Sequence, residues 1–350
     1  MRRYFFSLLF LSIQLLISQE KSPNIIIMIG DGMGLTQISS GMYANNNKTA
    51  LEEFEYVGLS KTYALDRLVT DSAASGTAMA CGVKTFNGVI GIDGKNRSQP
   101  SILELCQEQG YRTGLVVTSS IVHATPASFY AKVRSRSLYN DIALQLSQHN
   151  VDLFVGGGKK FFINRKDKRN LVEEMANYNF VKDLQAFENA TDDKIGYLTY
   201  SEEPPAKMKG RKPALEELTE ISLEKMKTKG APFFMLIEGS QIDWGGHDNN
   251  LEYVLSEFKE FDLAIQKVLA YAKADGNTLV IVTADHETGG LALVGGSLKK
   301  SNVRGNFTTG GHSATMVPVF SYGPGAEKFS GIYENTAIFD KMFQTLKEND

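Results

Sequence analysis

Cysteine is scarce in this chain of 350 residues, where only Cys81 and Cys106 occur. Without a Cys-x-x-Cys pair, the sequence favours neither a thiolate zinc site nor a disulfide scaffold. Basic charge is not in excess either, because 37 Lys and Arg residues stand against 40 Asp and Glu residues. The sequence therefore lacks the strongly basic character of nucleic-acid-binding proteins, and we expect no nucleic acid as a specific partner.

Long hydrophobic runs are also absent. Arg2 and Arg3 precede an apolar stretch over 4–17, and residues 18–23 are polar. Such a stretch is shorter than the ~20 residues that a transmembrane helix needs. A charged start followed by a short apolar region is typical of a secretory signal. We expect a signal peptide over 1–19, a periplasmic or secreted protein of residues 20–350, and no membrane partner.

The usual nucleotide-binding loops are missing. There is no Gly-Lys-Ser/Thr loop, and Gly30, Gly32 and Gly34 do not have the G-x-G-x-x-G spacing. Asp31 stands in the middle of this turn, where its carboxylate would repel a pyrophosphate. Nucleotide binding is therefore the weaker interpretation of this turn.

Apolar runs that end in glycine or polar residues recur along the chain. They lie at 24–29, 113–118, 151–155, 233–237, 277–283 and 317–321. Amphipathic helical patterns separate them, at 101–109, 215–229 and 251–274. Runs of this kind predict strands that are buried on both faces. Their alternation with helices predicts an α/β fold with a largely parallel central sheet. We expect one domain, with the more charged segment Lys159–Ala231 as a small surface insertion.

Carboxylates and histidines follow several of these predicted strands. They are Asp31, His123, Glu238, Asp243, His247, Asp285, His286 and, before the last strand, His312, and the hydroxyl residue Thr125 stands near His123. Ligands of open α/β sheets bind beyond the carboxyl ends of the strands. A lone histidine is more often structural than a ligand, but four of the five histidines stand here. Mixed Asp/His ligation suits zinc, and the oxygen ligands Asp31, Thr125 and Glu238 suit magnesium.

Asp71 and Ser72 precede a run of small residues, 73–81, that predicts a closely packed helix. A serine at a helix N-terminus is placed to meet phosphate, because free N–H groups and the helix dipole favour an anion there. Ser and Asp are also common helix caps. Taken alone, the capping interpretation is the stronger one.

Together these motifs resemble the alkaline phosphatase family along nearly all of the chain after residue 19, and most closely its compact bacterial forms, including cold-active ones. The motifs are Ile29–Gly34, Thr70–Ser75, Gly82–Gly88, His123–Ala127, Glu238–Asp243, Thr283–Glu287 and Gly310–His312. The resemblance implies hydrolysis of phosphate monoesters by a homodimeric enzyme that carries two zinc ions and one magnesium ion.

The same resemblance implies a role for each candidate residue. Ser72 matches the nucleophile that becomes phosphoserine, and Arg136, oriented by Asp71, matches the arginine that holds phosphate. Arg134 is the competing candidate for that arginine. The metal ligands match as follows: Asp243, His247 and His312 for the first zinc; Asp31, Asp285 and His286 for the second; Asp31, Thr125 and Glu238 for magnesium.

Two positions depart from the best-known enterobacterial pattern, which has an aspartate at His123 and a lysine at Trp244. Histidine can bind the third metal directly or through water, and losing the lysine removes one charge that helps to hold phosphate. The alternatives are a phosphodiesterase, sulfatase or phosphomutase of the same superfamily, or a non-catalytic exported zinc- or phosphate-binding protein. The sulfatase pattern Cys/Ser-x-Pro-x-Arg is absent at Asp71–Ser75.

Overall fold

A computed structural model describes residues 22–227 and 230–347. The predicted signal peptide, 1–19, lies outside these residues. The strands are β1 Asn24–Gly30, β2 Tyr56–Lys61, β3 Arg112–Ser120, β4 Leu153–Gly157, β5 Asn179–Phe180, β6 Ile195–Leu198, β7 Phe233–Gly239, β8 Thr278–Thr283, β9 Glu287–Thr288, β10 Ala292–Ser297, β11 Asn302–Asn306, β12 His312–Ser313, β13 Val317–Tyr322 and β14 Gly331–Glu334.

Helices connect most of these strands. They are α1 Leu35–Ala44, α2 Ser72–Cys81, α3 Ile102–Glu108, α4 Ala124–Ala127, α5 Tyr139–Gln148, α6 Lys160–Ile163, α7 Leu171–Glu174, α8 Leu184–Asn189, α9 Leu215–Lys227, α10 Ile242–His247, α11 Leu251–Asp275 and α12 Thr336–Lys347. The helices predicted at 101–109, 215–229 and 251–274 correspond to α3, α9 and α11. A strand β14 and then helix α12 occupy the end of the described chain.

Ten strands form the central sheet, in the order β14-β2-β13-β8-β1-β7-β3-β4-β6-β5. Strand β1 pairs in parallel with β7 and β8, and β3 pairs in parallel with β4 and β7. Strand β13 runs antiparallel to both of its neighbours, β2 and β8. All six predicted strands lie in this sheet, which confirms the α/β fold class and the largely parallel sheet.

The sheet is covered by helices on both faces. Successive side chains of a strand point to opposite faces, and in β1 Ile25 and Ile27 pack into one core layer while Ile26 and Met28 pack into the other. Helices α2, α3 and α12 supply the first layer, and α9 and α11 supply the second. Of the helices in 22–227 and 230–347, none has the length and apolar character needed to cross a membrane.

The segment Lys159–Ala231 differs from the predicted surface insertion, because it is built into the sheet. It supplies β5 and β6, the last two strands at one end of the sheet, and helix α9. Leu215 and Met226 of α9 are fully buried in the core. The charge that suggested a surface segment lies on solvent-facing residues such as Lys209 and Glu217. The composition of a segment does not distinguish its buried residues from its solvent-facing ones, so the charge concealed the buried face of α9.

A buried ion cluster attaches this segment to the longest helix. The Arg211 guanidinium, 3% exposed, forms ion pairs with Glu257 and Glu260 of α11, which are also buried. Glu260 accepts a hydrogen bond from the Leu215 N–H at 3.1 Å, and Glu257 accepts one from the Lys207 N–H at 2.7 Å. The two carboxylates therefore bind the Arg211 guanidinium and also two backbone N–H groups, one before α9 and one at its first residue.

Replacing the buried arginine should destabilise the fold. Arg211→Leu leaves two buried carboxylates facing each other without the guanidinium, and breaking a buried pair in this way costs about 3–5 kcal/mol. Denaturant unfolding, followed by circular dichroism, measures this free energy. The matched control is Arg169→Leu, which removes an exposed pair with Glu174 and should leave the midpoint unchanged. Equal midpoints for the two variants would contradict the assignment.

Candidate active site

Polar side chains collect where four neighbouring strands of the sheet end. Strands β8, β1, β7 and β3 are adjacent in that order. Asp31 follows β1, Asp285 and His286 follow β8, and Glu238 closes β7. Helix α10 after β7 carries Asp243 and His247, and α4 after β3 carries Thr125, with His123 directly before it. The parallel sheet thus brings together residues that are far apart in sequence.

The first ligand set consists of Asp243, His247 and His312, whose inner atoms form a small triangle. His247 Nε2 lies 3.3 Å from Asp243 Oδ1 and 3.1 Å from His312 Nε2, and His312 Nε2 lies 3.5 Å from Asp243 Oδ1. Each imidazole Nδ1 is 2.8 Å from a backbone carbonyl, Gly310 O for His247 and Thr70 O for His312. A carbonyl only accepts, so these contacts place the proton on Nδ1 and leave Nε2 free to bind a metal.

The second ligand set consists of Asp31, Asp285 and His286, which are fully buried. His286 Nε2 lies 3.1 Å from Asp285 Oδ2 and 3.5 Å from Asp31 Oδ1. Ser72 Oγ lies 3.3 Å from the same nitrogen. The loop after β1 reaches this set through Gly32, whose φ of +75° and contact with the Asp243 backbone leave no room for a side chain. Its N–H donates to Asp285 Oδ1 at 3.1 Å.

The third ligand set shares Asp31 with the second and adds Glu238, Thr125 and His123. Ligand atoms of Asp31, His123 and Glu238 lie within 4.8 Å of one another. The Thr125 hydroxyl lies 3.5 Å from Asp31 Oδ2. The set therefore offers two carboxylates, one hydroxyl and one imidazole, a mixed group rather than an oxygen-only one.

The buried carboxylates of these ligand sets need positive charge nearby in order to remain ionised. Burial raises the pKa of Asp31 well above its usual value, and the neighbouring carboxylates of Asp285, Asp243 and Glu238 raise it further. Burial also raises the pKa of Glu238 to about 8. Carboxylates that are buried together remain ionised only where positive charge compensates them.

Unpartnered atoms give a direct test of whether metal ions fit. Asp31 Oδ1, Asp285 Oδ2 and both carboxylate oxygens of Glu238 are buried and have no hydrogen-bond partner. Buried polar groups are otherwise almost always paired. Within residues 22–227 and 230–347, candidate ligands form three compact groups, which are Asp243/His286/His312, Asp31/Asp285/His286 and Asp31/His123/Glu238. The donors, carboxylates and imidazoles, suit divalent metal ions.

Ser72 is the first residue of α2, and the residue before it, not the serine, caps the helix. Asp71 is the N-cap, because its Oδ1 accepts from the Ala74 N–H at 3.0 Å. The small residues let the helix lie fully buried, and a Cβ at Gly76 would be 2.7 Å from the Ser128 hydroxyl. The cap and the packing therefore hold the Ser72 hydroxyl at the second ligand set.

Asp71 also positions an arginine beside the serine. Its Oδ2 accepts from the Gly88 N–H and from Arg136 Nη1, both at 3.0 Å. Arg136 Nη2 lies 3.3 Å from His123 Nε2. A guanidinium only donates, so His123 accepts and is uncharged, in line with the burial that lowers its pKa to about 3. Arg134 is exposed.

Comparison with known proteins identifies the family. The sequence profile described as alkaline phosphatase matches residues 22–306 of this chain. The chain belongs to the alkaline phosphatase family. It is therefore a phosphomonoesterase of a metal-dependent family. Alkaline phosphatase 3 of Bacillus subtilis is 33% identical, with 95% of this chain and 90% of the relative aligned.

Solved alkaline phosphatases share the whole fold. The enzyme from the Antarctic bacterium TAB5 superposes with a TM-score of 0.88 at 42% identity, covering 93% of this chain and 98% of that one. The cold-active enzyme of a Shewanella species gives a TM-score of 0.85 at 29% identity, over 92% and 99% of the two chains. A variant of the TAB5 enzyme has been solved with Mg bound in its M3 site.

Two positioning residues escaped the sequence analysis. The Thr288 hydroxyl lies 2.5 Å from Asp243 Oδ1 and 3.2 Å from His286 Nδ1. A hydroxyl has one proton, so Thr288 donates to the carboxylate and accepts from the imidazole, which leaves His286 Nε2 unprotonated. Asn87 accepts from the Asp71 N–H at 3.1 Å and donates to Val69 O at 3.0 Å. Thr288 stands two residues after His286, on the same side of an extended chain, and that spacing was the available signal.

Removing the Thr288 hydroxyl should weaken metal binding at the first and second ligand sets, with Zn²⁺ as the probe ion. Thr288→Val keeps the shape but loses both contacts, and partners of metal ligands typically contribute tenfold to a hundredfold in affinity, so we expect the Kd for Zn²⁺ to rise by roughly that factor. Competition with a chelating dye measures it. The matched control is Thr219→Val, because the Thr219 hydroxyl is buried and has no hydrogen-bond partner. Unchanged zinc affinity in Thr288→Val would remove this role.

Proposed function

We propose that this phosphomonoesterase transfers the phosphoryl group of its substrate to Ser72 and then hydrolyses the phosphoserine. One observation carries the proposal: the Ser72 hydroxyl lies at the N-terminus of α2 and 3.3 Å from His286 Nε2, a nitrogen of the second ligand set. A serine hydroxyl is a weak nucleophile until a neighbouring base or metal ion activates it. Asp71, and not Ser72, caps the helix, so a capping role does not explain why the Ser72 hydroxyl lies against this nitrogen.

We propose two zinc ions and one magnesium ion as cofactors. The first set, Asp243, His247 and His312, would hold one zinc ion, and the second, Asp31, Asp285 and His286, the other. The third set, Asp31, Thr125 and Glu238 with His123 beside them, would hold magnesium. When bound, such ions lower the pKa of coordinated hydroxyl groups and neutralise charge on the phosphoryl oxygens.

The side chains of the protein supply the nucleophile and bind the phosphoryl oxygens. Ser72 loses its hydroxyl proton to solvent as its Oγ attacks phosphorus, the bond from phosphorus to the ester oxygen breaks, and the leaving oxygen takes up a proton from solvent. Arg136, held by Asp71, offers a planar fork to the phosphoryl oxygens. Water next attacks phosphorus, the bond to Ser72 Oγ breaks, and phosphate is released with the hydroxyl restored. The N-terminal N–H groups of α2 favour the anion throughout.

The other candidates have less support. A phosphodiesterase, sulfatase or phosphomutase would use the same sheet, but the Ser72, Asp71 and Arg136 arrangement suits a terminal phosphoryl group whose oxygens are free to meet an arginine. A non-catalytic binding protein would have no use for a serine against a ligand nitrogen. We further propose export through the segment 1–19, a single catalytic domain over 20–350, and assembly as a homodimer, the last by family resemblance.

Ser72→Ala should abolish most turnover of a chromogenic phosphate monoester at alkaline pH, because the nucleophile is gone. Assays run with zinc plus magnesium and again after chelation test the metal requirement at the same time. Wild-type activity should disappear on chelation and return with both metals.

The control for this experiment is Ser147→Ala, which removes a serine hydroxyl of α5 that bonds only locally, to Leu144 O. It should retain full activity. Circular dichroism establishes that each variant is folded. Unimpaired turnover in folded Ser72→Ala would refute the nucleophile assignment.

The two arginines form a matched pair for phosphate binding. Arg136→Ala removes charge-assisted hydrogen bonds, so the inhibition constant for inorganic phosphate should rise roughly tenfold to a hundredfold. Arg134→Ala, an exposed neighbour, should leave it unchanged. Competitive inhibition measures both values. The opposite ranking would move the phosphate-binding role to Arg134.

A further inference from the structure

An apolar wall stands at the mouth of the active site. A cleft of about 620 Å³ is lined by His247 and His312 and also by Arg67, Leu68 and Val69. We call these last three residues the outer wall. Leu68 is 73% exposed and Val69 is 40% exposed. Large apolar side chains that are exposed beside a binding site commonly mark a contact surface for a ligand or partner.

The position of the nucleophile indicates what enters this cleft. Ser72 Oγ lies against the second ligand set, 3.3 Å from His286 Nε2. In phosphoryl transfer, the attacking and leaving oxygens lie roughly in line on opposite sides of phosphorus. The His286 and His312 rings are stacked with their centroids 3.6 Å apart, so the first ligand set adjoins the second, and its residues His247 and His312 line the cleft. A leaving oxygen on the cleft side of phosphorus would face the first ligand set, and the organic group of the ester would then lie against the outer wall.

The outer wall is held in place before any substrate binds. Asn87 donates to Val69 O at 3.0 Å and accepts from the Asp71 N–H at 3.1 Å. The chain before the wall is also fixed, because the Ala64 N–H donates to Arg67 O and the Leu65 N–H donates to Thr85 O, both at 2.9 Å. A preformed wall requires little ordering on binding, so contacts with it translate efficiently into affinity.

The chemistry of the wall favours one class of ester. Leu68 gains by contact with an apolar group that removes it from water. Arg67 carries a planar guanidinium that can lie on an aromatic face, and its nearest carboxylate oxygen, Asp66 Oδ2, is 4.0 Å away. We propose that the outer wall binds the organic group of the substrate and favours aryl phosphate monoesters over small polar alkyl ones. This inference rests on the phosphoserine mechanism proposed above.

The test compares two esters on the same enzyme. kcat/KM for 4-nitrophenyl phosphate and for glycerol 2-phosphate is measured with the metal-loaded wild type and Leu68→Ser. The aryl value should fall about threefold to tenfold, as expected for loss of one partly covered apolar side chain. The glycerol phosphate value and the inhibition constant for inorganic phosphate should change by less than about twofold, because neither ligand reaches the wall.

Two further variants make the result specific. Leu68→Met keeps an apolar surface and should restore the aryl preference. Leu298→Ser replaces a leucine of similar exposure, 66%, just after β10 and away from the cleft lining, and should change neither substrate.

Equal losses on both esters, or none, would overturn the proposal. So would a Leu68→Ser variant whose only change is a smaller mass in solution, because the wall would then be a contact between copies of the chain. A wild type inactive on both esters would refute the phosphoserine proposal, and this inference with it. An active wild type with an unchanged ratio in Leu68→Ser refutes this inference alone.

Discussion

Repulsion among buried carboxylates is the constraint on which this structure depends. Asp31, Glu238, Asp243 and Asp285 meet below the surface at the ends of neighbouring strands, and no Lys or Arg side chain of the described chain forms an ion pair with any of them. Such a cluster would be unstable as an isolated group of anions. The imidazoles and unpartnered oxygens that face one another make sense as ligands of metal ions, so that the strands and loops around them are arranged to hold charge rather than to fill a core.

The N-terminus of a helix must also lie close to this cluster of carboxylates. Helix α2 achieves this with side chains that are nearly all small, so it can lie buried on α4 with its first residue at the metal ligands. Asp71 joins the two halves of the site, because one carboxylate oxygen caps the helix and the other binds Arg136. Asn87 then fixes the backbone on either side of Thr70, whose carbonyl orients His312. The short stretch 70–72 thus carries Ser72 and positions both Arg136 and His312.

Most of the sheet could be predicted from the sequence because its strands are buried on both faces, which leaves unbroken apolar runs such as Asn24–Gly30. Strands β2 and β14 escaped because they are the last two strands at one end of the sheet, where exposed residues interrupt the apolar runs. The segment Lys159–Ala231 was misjudged because its charges face solvent while Leu215 and Met226 fill the core. Among site residues, histidines and carboxylates stand out in a sequence, whereas Thr288 and Asn87 act through hydrogen bonds that only the folded geometry reveals.

The short ladder between β9 and β12 has a consequence for how the chain can change in length. It pairs Thr288 with His312 and Glu287 with Ser313, while the whole β10–β11 ribbon extends from the far side of this pairing. The ladder closes the base of the ribbon, so residues added or removed within the ribbon, between Ala292 and Asn306, leave the positions of His286 and His312 unchanged. This enzyme can therefore acquire or shed surface structure at the ribbon while its catalytic centre keeps its geometry.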